Sequence, residues 1–116
     1  MPLLTTTIGA YPKPRYIELP DWFTVANGPD TARPTAHWAE AMAAMGDDAE
    51  ALLTRGTREV IGEQVAAGID IPTDGEVRRE NYIHYHCRHL DGFDFDGVRE
   101  KVLRNGAYSA FLPTVR

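Results

Sequence analysis

A long helical segment lies between two short β-branched runs, and this order constrains the fold more than any other feature. The first run, LLTTTI at residues 3–8, ends at Gly9, and the second, IDIPT at residues 69–73, precedes Asp-Gly-Glu. Between them the apolar residues of 49–65 recur at helical spacing, and Gly68 is placed to end the helix. A strand, a crossover helix and a second strand form a βαβ unit, whose strands lie parallel. The sequence therefore predicts an α/β fold with a parallel sheet.

Another helix and a long loop are predicted before this long helix. Pro34 suits the first position of a helix that Gly46 ends, and either aspartate at 47–48 can cap the long helix. Gly56 inside the long helix marks either close packing or a break between two helices. Residues 15–33 have no sustained period and form a predicted loop, whose length favours a binding role.

The end of the chain predicts a short helix and a hairpin. A helix over about residues 81–90 would carry an apolar stripe of Ile83, Cys87 and Leu90. The runs 98–103 and 107–115 flank Asn-Gly at 105–106, a dipeptide typical of a tight type I′ turn. We therefore expect a β-hairpin there.

Composition limits the size of the fold and its surroundings. At 116 residues the chain is the size of one domain, and it is too short for a complete eight-stranded α/β barrel of ~250 residues. Its net charge of −5 and its lack of a basic cluster make nucleic acid a poor partner. With one cysteine, Cys87, and no long apolar run, we expect a cytoplasmic protein with no internal disulfide and no membrane partner.

Two candidate site residues follow the predicted strands, at the carboxyl ends where parallel sheets form ligand sites. Gly9 lets a ligand approach the backbone, and Glu76 can accept an ammonium group or act as a general base. Together they could hold an amino acid; alternatively Gly9 only makes a turn and Glu76 is a solvated carboxylate. The charged residues that could orient Glu76, or instead form surface salt bridges, are Arg78, Arg79 and Glu80.

The run HYHCRH at residues 84–89 invites a metal interpretation, because imidazole and thiolate bind zinc well. On a helix, His84 and Cys87 share one face while His86 and His89 share another, so the two pairs point in different directions. Cys87 also falls on the predicted apolar stripe, where a thiol behaves as a small hydrophobe. We therefore expect no metal site within this run.

Two stretches resemble the catalytic domain of cobalamin-independent methionine synthase. The first, TTTIGAYP at residues 5–12, is similar to the family's opening strand, Thr-Thr-Thr-Ile-Gly-Ser followed by an aromatic residue and proline. The second runs from EQ at 63–64 through AGID at 67–70 and DGE at 74–76 to Arg79 and LDGF at 90–93. A weaker third stretch, at 105–115, is similar to the segment that leads into the third barrel strand. The resemblance covers nearly the whole chain but only about the first third of a family catalytic domain.

The resemblance implies a partial (β/α)8 barrel: its first two to three strands, their crossover helices and a hairpin. Residues 1–116 would be the N-terminal part of that barrel, with no separate second domain. The implied reaction moves a methyl group from a methylated folate to the thiol of homocysteine, with zinc stabilising the thiolate. The implied site residues are Ile8, Gly9 and Ala10 for the homocysteine backbone, Glu76 for its amino group, and Asp74 and Arg79 in support.

The sequence also departs from the family pattern. Ala10 stands where serine is usual, so a main-chain contact survives and a hydroxyl contact is lost. Tyr108 and Ser109 align with an arginine-cysteine pair associated with folate binding, which leaves the methyl donor open. The family's zinc ligands and proton-donating histidine fall beyond Arg116, so no catalytic or metal residue is assigned within this chain.

Two alternatives to this function remain. One is a thiol alkyltransferase of the same superfamily with another acceptor. The other is a noncatalytic, truncated or split module that associates with itself or with a complementing barrel part, because a short parallel arc leaves strand edges unpaired.

Overall fold

The computed structural model describes residues 3–19 and 33–116, and its regular elements there are helices and one hairpin. In chain order they are α1 (Pro34–Met45), α2 (Ala49–Ala66), α3 (Tyr82–Arg88), β1 (Phe93–Leu103) and β2 (Tyr108–Val115). Most of the predicted loop at 15–33 lies outside these described residues. Within them, no helix is both long and apolar enough to cross a membrane. Helices and a small sheet make this an α/β arrangement consistent with part of a barrel.

The two predicted helices before residue 68 are confirmed, and α2 runs through Gly56 without a break. A Cβ built on Gly56 would lie 2.3 Å from Cδ1 of Ile17, whose side chain is buried. Gly56 therefore marks close packing of the segment before α1 against α2. Gly46 follows α1 with a φ of 64°, a conformation that glycine adopts readily.

The two predicted parallel strands are much shorter than expected. They meet in one parallel bridge, Thr6 with Ile71, and the Ile71 amide donates to the Thr5 carbonyl at 3.0 Å. The parallel direction is confirmed, but continuous strands over 3–8 and 69–73 are wrong. The ladder stops after Ile71 because the next amide that could face the first segment, that of Thr73, donates instead to a side chain of α2.

The predicted hairpin is confirmed, with β1 and β2 antiparallel and Leu103 opposite Tyr108. Its two-residue type I′ turn is wrong, because four residues, 104–107, connect the paired positions. Asn105 and Gly106 have positive φ as that turn would require, but Arg104 also has a φ of 51°. Strand β1 begins at Phe93, earlier than expected, and its register shifts between positions 94 and 99.

The core lies between α1, α2 and the segments that follow the two bridging residues. Its buried members are Ile17, Leu19, Leu53, Val60 and Val77, and side chains including Trp38 and Met42 pack against them. The stripe expected on α3 is wrong: Ile83 and Leu90 are exposed, and the buried residue of α3 is His84. The His84 ring reaches partners on two other elements, Thr35 Oγ1 at 3.0 Å and the Phe111 carbonyl at 2.7 Å.

Candidate functional site

Gly9 and Glu76 meet at the ends of the two bridged segments. A Cβ built on Gly9 would lie 2.6 Å from Glu76 Oε1, so the carboxylate faces the Gly9 backbone directly. Gly9 has a φ of 118°, which also disfavours a side chain there. Beside them, the Tyr11 amide donates to the Gly75 carbonyl at 3.1 Å, which joins the two segments beyond the bridge.

Glu76 is held in a tight turn. Its φ is 55°, an uncommon value for a residue with a side chain and one that concentrates at functional sites. The Glu76 amide donates to Asp74 Oδ1 at 2.9 Å, and the Arg79 amide donates to the Glu76 carbonyl at 2.9 Å. These two bonds fix the backbone on which the carboxylate stands.

Arg79 binds the Glu76 carboxylate. Its guanidinium forms an ion pair with Glu76 Oε2, and both side chains are largely buried, at 17% and 23% exposed. The same guanidinium lies 4.6 Å from the centre of the Tyr82 ring, and the Arg79 carbonyl accepts from Lys13 Nζ at 3.1 Å. With Oε2 occupied by Arg79, Oε1 is the oxygen that faces Gly9.

Most of the site residues predicted from the sequence lie close to the contact between Gly9 and Glu76. Gly9, Asp74, Glu76 and Arg79 are brought together as described. Ala10 is partly buried, whereas the Ile8 side chain is 97% exposed and makes no buried contact.

The other charged residues expected to orient Glu76 have different partners. Arg78 pairs with Glu50 of α2 and donates to Thr54 Oγ1 at 3.2 Å. Glu80 is buried and pairs with Arg88 at the end of α3. Of the three candidates, only Arg79 contacts Glu76, and Arg78 forms a salt bridge to a helix surface.

A polar cluster behind the site was not predicted from the sequence. Gln64 of α2 is only 1% exposed, and its side-chain amide binds the backbone of Thr73. The Thr73 hydroxyl in turn donates to the Gly9 carbonyl at 3.2 Å. The available signal was the position of Gln64 four residues after Val60, on the buried face of α2, where a polar side chain needs a partner.

A small cleft opens on the α3 side of Glu76. It has a volume of about 200 Å³, and its lining residues are Asp74, Glu76, Arg78, Arg79, Tyr85 and His86. Across residues 3–19 and 33–116, no three His, Cys, Asp or Glu side chains converge in a way that could hold a metal ion. The described residues therefore do not fit the zinc that the family resemblance implies.

Two tyrosines anchor the segment after Gly9 on the carboxylates of α2. The pKa of Tyr11 is raised mainly by a hydrogen bond to Glu63. The pKa of Tyr16 is raised mainly by burial and, to a smaller extent, by a hydrogen bond to Glu59. The Tyr16 hydroxyl donates to Glu59 Oε2 at 2.8 Å. These contacts hold the polypeptide that leaves the site against the helix that carries Gln64.

Comparison with known proteins identifies the family. Residues 3–108 match the family described as the catalytic domain of cobalamin-independent synthase. The chain therefore belongs to the cobalamin-independent synthase catalytic-domain family.

Relatives and a solved structure agree with this assignment. The methionine synthase of Sulfolobus acidocaldarius is 32% identical over 95 residues, which are 82% of this chain and 24% of that protein. That of Saccharolobus solfataricus is 30% identical over 98 residues, 84% of this chain and 25% of that protein. A solved structure, that of a B12-independent methionine synthase from Shewanella sp. W3-18-1 in complex with selenomethionine, superposes on this chain with a TM-score of 0.66. The two sequences are 28% identical, and the match covers 96% of this chain and 28% of the Shewanella chain. The chain thus spans about a quarter of the length of the relatives it matches.

Proposed function

We propose that this chain contributes the amino-acid-binding part of a site that transfers a methyl group from a methylated folate to the thiol of homocysteine, giving methionine. The observation that carries the proposal is the approach of Glu76 Oε1 to the Gly9 backbone. In this proposal Oε1 accepts the ammonium group of the amino acid, and the main chain at Ile8, Gly9 and Ala10 binds its backbone. The relatives named methionine synthase support the reaction class.

The arrangement around Glu76 suits an ammonium group. Arg79 occupies Oε2, and a carboxylate with one oxygen fixed presents the other in a defined direction. Asp74 sets the turn through the Glu76 amide. The selenomethionine bound to the Shewanella protein is an amino acid of the product type, which supports an amino-acid ligand here.

We also propose the place of this chain in a larger fold. The bridged segments around Thr6 and Ile71 are the first two strands of a (β/α)8 barrel, with α1 and α2 between them. Residues 1–116 form an N-terminal part of that barrel in the cytoplasm. No step of the proposal uses zinc, since the described residues do not fit it.

The proposal is tested by ligand binding to the purified chain. Calorimetry would measure the affinities for L-homocysteine, for L-methionine and for 4-(methylthio)butanoate, which lacks the amino group. Glu76→Gln removes the charge that pairs with ammonium, so it should weaken both amino acids and leave the desamino compound unchanged. Glu100→Gln, at an exposed position of β1, is the matched control and should change nothing. Equal losses for all three ligands in Glu76→Gln would reject the proposed role of Glu76 and favour an acceptor without an amino group.

A second candidate function is association with another polypeptide, and a separate observation supports it. Four apolar side chains at the two bridged segments are exposed to an unusual degree: Leu3 at 93%, Leu4 at 70%, Ile8 at 97% and Ile71 at 53%. Such a surface favours contact with a second copy or with a complementing part of a barrel. Light scattering with metal analysis tests this candidate. A well-folded monomer without bound metal across a wide concentration range would reject it.

A further inference from the structure

The side chain of Gln64 hydrogen-bonds to the backbone of Thr73 as a neighbouring β-strand would. Gln64 Oε1 accepts from the Thr73 amide at 3.0 Å, and Gln64 Nε2 donates to the Thr73 carbonyl at 2.9 Å. The remaining capacity of the amide is also used, because Nε2 donates to the Val60 carbonyl at 3.1 Å and Oε1 accepts from Thr7 Oγ1 at 3.1 Å. All four hydrogen bonds of a buried amide are made, so the Gln64 side chain has a single orientation and fixes the backbone of Thr73.

The Thr73 hydroxyl hydrogen-bonds to both parts of the candidate site, the Gly9 backbone and the turn that bears Glu76. It donates to the Gly9 carbonyl at 3.2 Å and accepts from the Gly75 amide at 3.2 Å. One oxygen atom thereby ties the first segment to the turn that bears Glu76. Because the peptide group is planar and trans, holding the Gly9 carbonyl toward Thr73 directs the Ala10 amide to the opposite side.

We propose that Gln64 and Thr73 are positioning residues, which hold the Gly9 peptide and the Glu76 turn at the separation that an amino-acid ligand requires. The identity of the ligand in this inference rests on the proposed function. The positions of the Gly9 peptide and the Glu76 turn do not depend on it. Neither side chain touches the ligand in this proposal. They act through the backbone of residue 9 and through the turn at 74–76.

Thr73 offers a sharp pair of variants. Thr73→Val keeps the shape of the side chain and removes the hydroxyl, whereas Thr73→Ser keeps the hydroxyl and removes a methyl group. Leu53→Ala in the core is the control, since it destabilises the fold and leaves the site contacts in place. Thr73→Ala is a second hydroxyl-free variant, for use if the valine variant does not fold.

The first readout needs no ligand. In the free chain, nuclear Overhauser contacts should join the Gly9 Hα protons to the Glu76 Hγ protons, because a Cβ built on Gly9 lies 3.9 Å from Glu76 Cγ. We expect these contacts in the wild type, in Thr73→Ser and in Leu53→Ala, and we expect their loss in Thr73→Val. Their persistence in Thr73→Val, or their absence from the wild type, overturns the inference.

The second readout is the ratio of the affinities for L-methionine and 4-(methylthio)butanoate. We expect Thr73→Val to lower this ratio by about tenfold, equivalent to ~1.4 kcal/mol, and expect Thr73→Ser to restore it. A merely structural role would leave the ratio unchanged, as in Leu53→Ala, and would overturn the inference. If Thr73→Val and Thr73→Ala both fail to fold while Thr73→Ser folds, the hydroxyl serves the fold and the inference is also overturned.

The two proposals can fail separately. If the free-chain contacts change as expected but the wild type binds neither amino acid, the proposed function fails and the positioning role stands. If the wild type prefers L-methionine and Thr73→Val keeps that preference, the positioning role fails and the proposed function stands.

Discussion

Gly9 and Glu76 lie so close together that a side chain at position 9 would have to displace the Glu76 carboxylate. A Cβ there would stand 2.6 Å from Glu76 Oε1, well inside the distance at which the two atoms can coexist. The φ of 118° at Gly9 would in addition be strained for any other residue. The glycine therefore meets a backbone requirement at position 9, and its lack of a side chain leaves room for the carboxylate of the candidate site.

Gly9→Ala should displace the Glu76 side chain. We expect a loss of stability of about 1–3 kcal/mol from backbone strain and steric contact, together with loss of the preference for L-methionine over its desamino analogue. Urea unfolding and calorimetry measure the two effects. Gly62→Ala, in α2 with no atom near its built Cβ, is the control and should gain up to about 1 kcal/mol. An alanine at position 9 that left both stability and preference intact would contradict the proposed geometry.

Gly56 and Gly62 make a matched pair within α2. Alanine should favour the helix equally at both positions, but at Gly56 its Cβ would lie 2.3 Å from Ile17 Cδ1. We expect Gly56→Ala to be less stable than Gly62→Ala by about 1–3 kcal/mol, the usual cost of overpacking.

A second substitution tests the cause of that difference. Ile17→Val removes Cδ1, the atom nearest the built Cβ of Gly56. In a double-mutant cycle measured by urea unfolding, Ile17→Val should therefore cost less in the Gly56→Ala background than in the wild type. Additive effects would show that the packing at Gly56 has another origin.

Asp70 should make the stability of the bridged segments depend on pH. The Thr5 amide and the Thr5 hydroxyl each donate a hydrogen bond to Asp70 Oδ2 at 2.8 Å. Both hydrogen bonds lower the pKa of Asp70, and the one from the amide has the larger effect. A lowered native pKa contributes stability that is fully present above the unfolded value of about 3.9 and is lost as the pH falls through the native pKa.

Asp70→Asn removes this contribution. The variant should unfold at a lower urea concentration than the wild type at pH 7, and the two midpoints should converge as the pH falls below about 3.9. Asp91→Asn, which removes the same charge at an exposed position before β1, is the control substitution. A difference between wild type and Asp70→Asn that stayed constant with pH would exclude the carboxylate as its source.

Local patterns allowed much of the helical and hairpin structure to be predicted. The period of α2 and the Asn-Gly dipeptide at 105–106 both depend on neighbours in the sequence, and both elements formed. The strand over 69–73 failed because the side chain of Gln64 binds the backbone amide and carbonyl of Thr73 in place of a neighbouring strand, which only the folded arrangement reveals. The apolar stripe of α3 failed for a similar reason, since His84 finds polar partners inside the fold.

For the candidate site, the sequence supplied the residues but not their connections. Gly9, Asp74, Glu76 and Arg79 could be named because they follow the two predicted strands and fit a family motif. Gln64 lies 12 residues before Glu76, on a helix, and although its place on the buried face of α2 signals a polar partner, the identity of that partner depends on tertiary contacts. The same holds for the partner of Glu80, because charged residues at 78–80 could pair in several ways until the packing of α3 is known.

Glu80 and Arg88 form the most buried ion pair among the described residues. The Glu80 side chain is fully buried, the Arg88 side chain is 14% exposed, and the Arg88 guanidinium lies 3.7 Å from the centre of the Trp38 ring. Arg88→Met would leave a buried carboxylate without its partner, so we expect a loss of about 3–5 kcal/mol.

The exposed pair of Arg55 and Glu59 is the control for this prediction. Arg55 also lies over an aromatic ring, that of Tyr16 at 4.4 Å, but its side chain is 63% exposed. Water already solvates such a pair, so Arg55→Met should cost less than about 1 kcal/mol. Adding Glu80→Gln to Arg88→Met should recover part of the larger loss, because the uncompensated charge is gone. Chemical unfolding measures all three variants, and equal losses for Arg88→Met and Arg55→Met would contradict the buried ion pair as a determinant of stability.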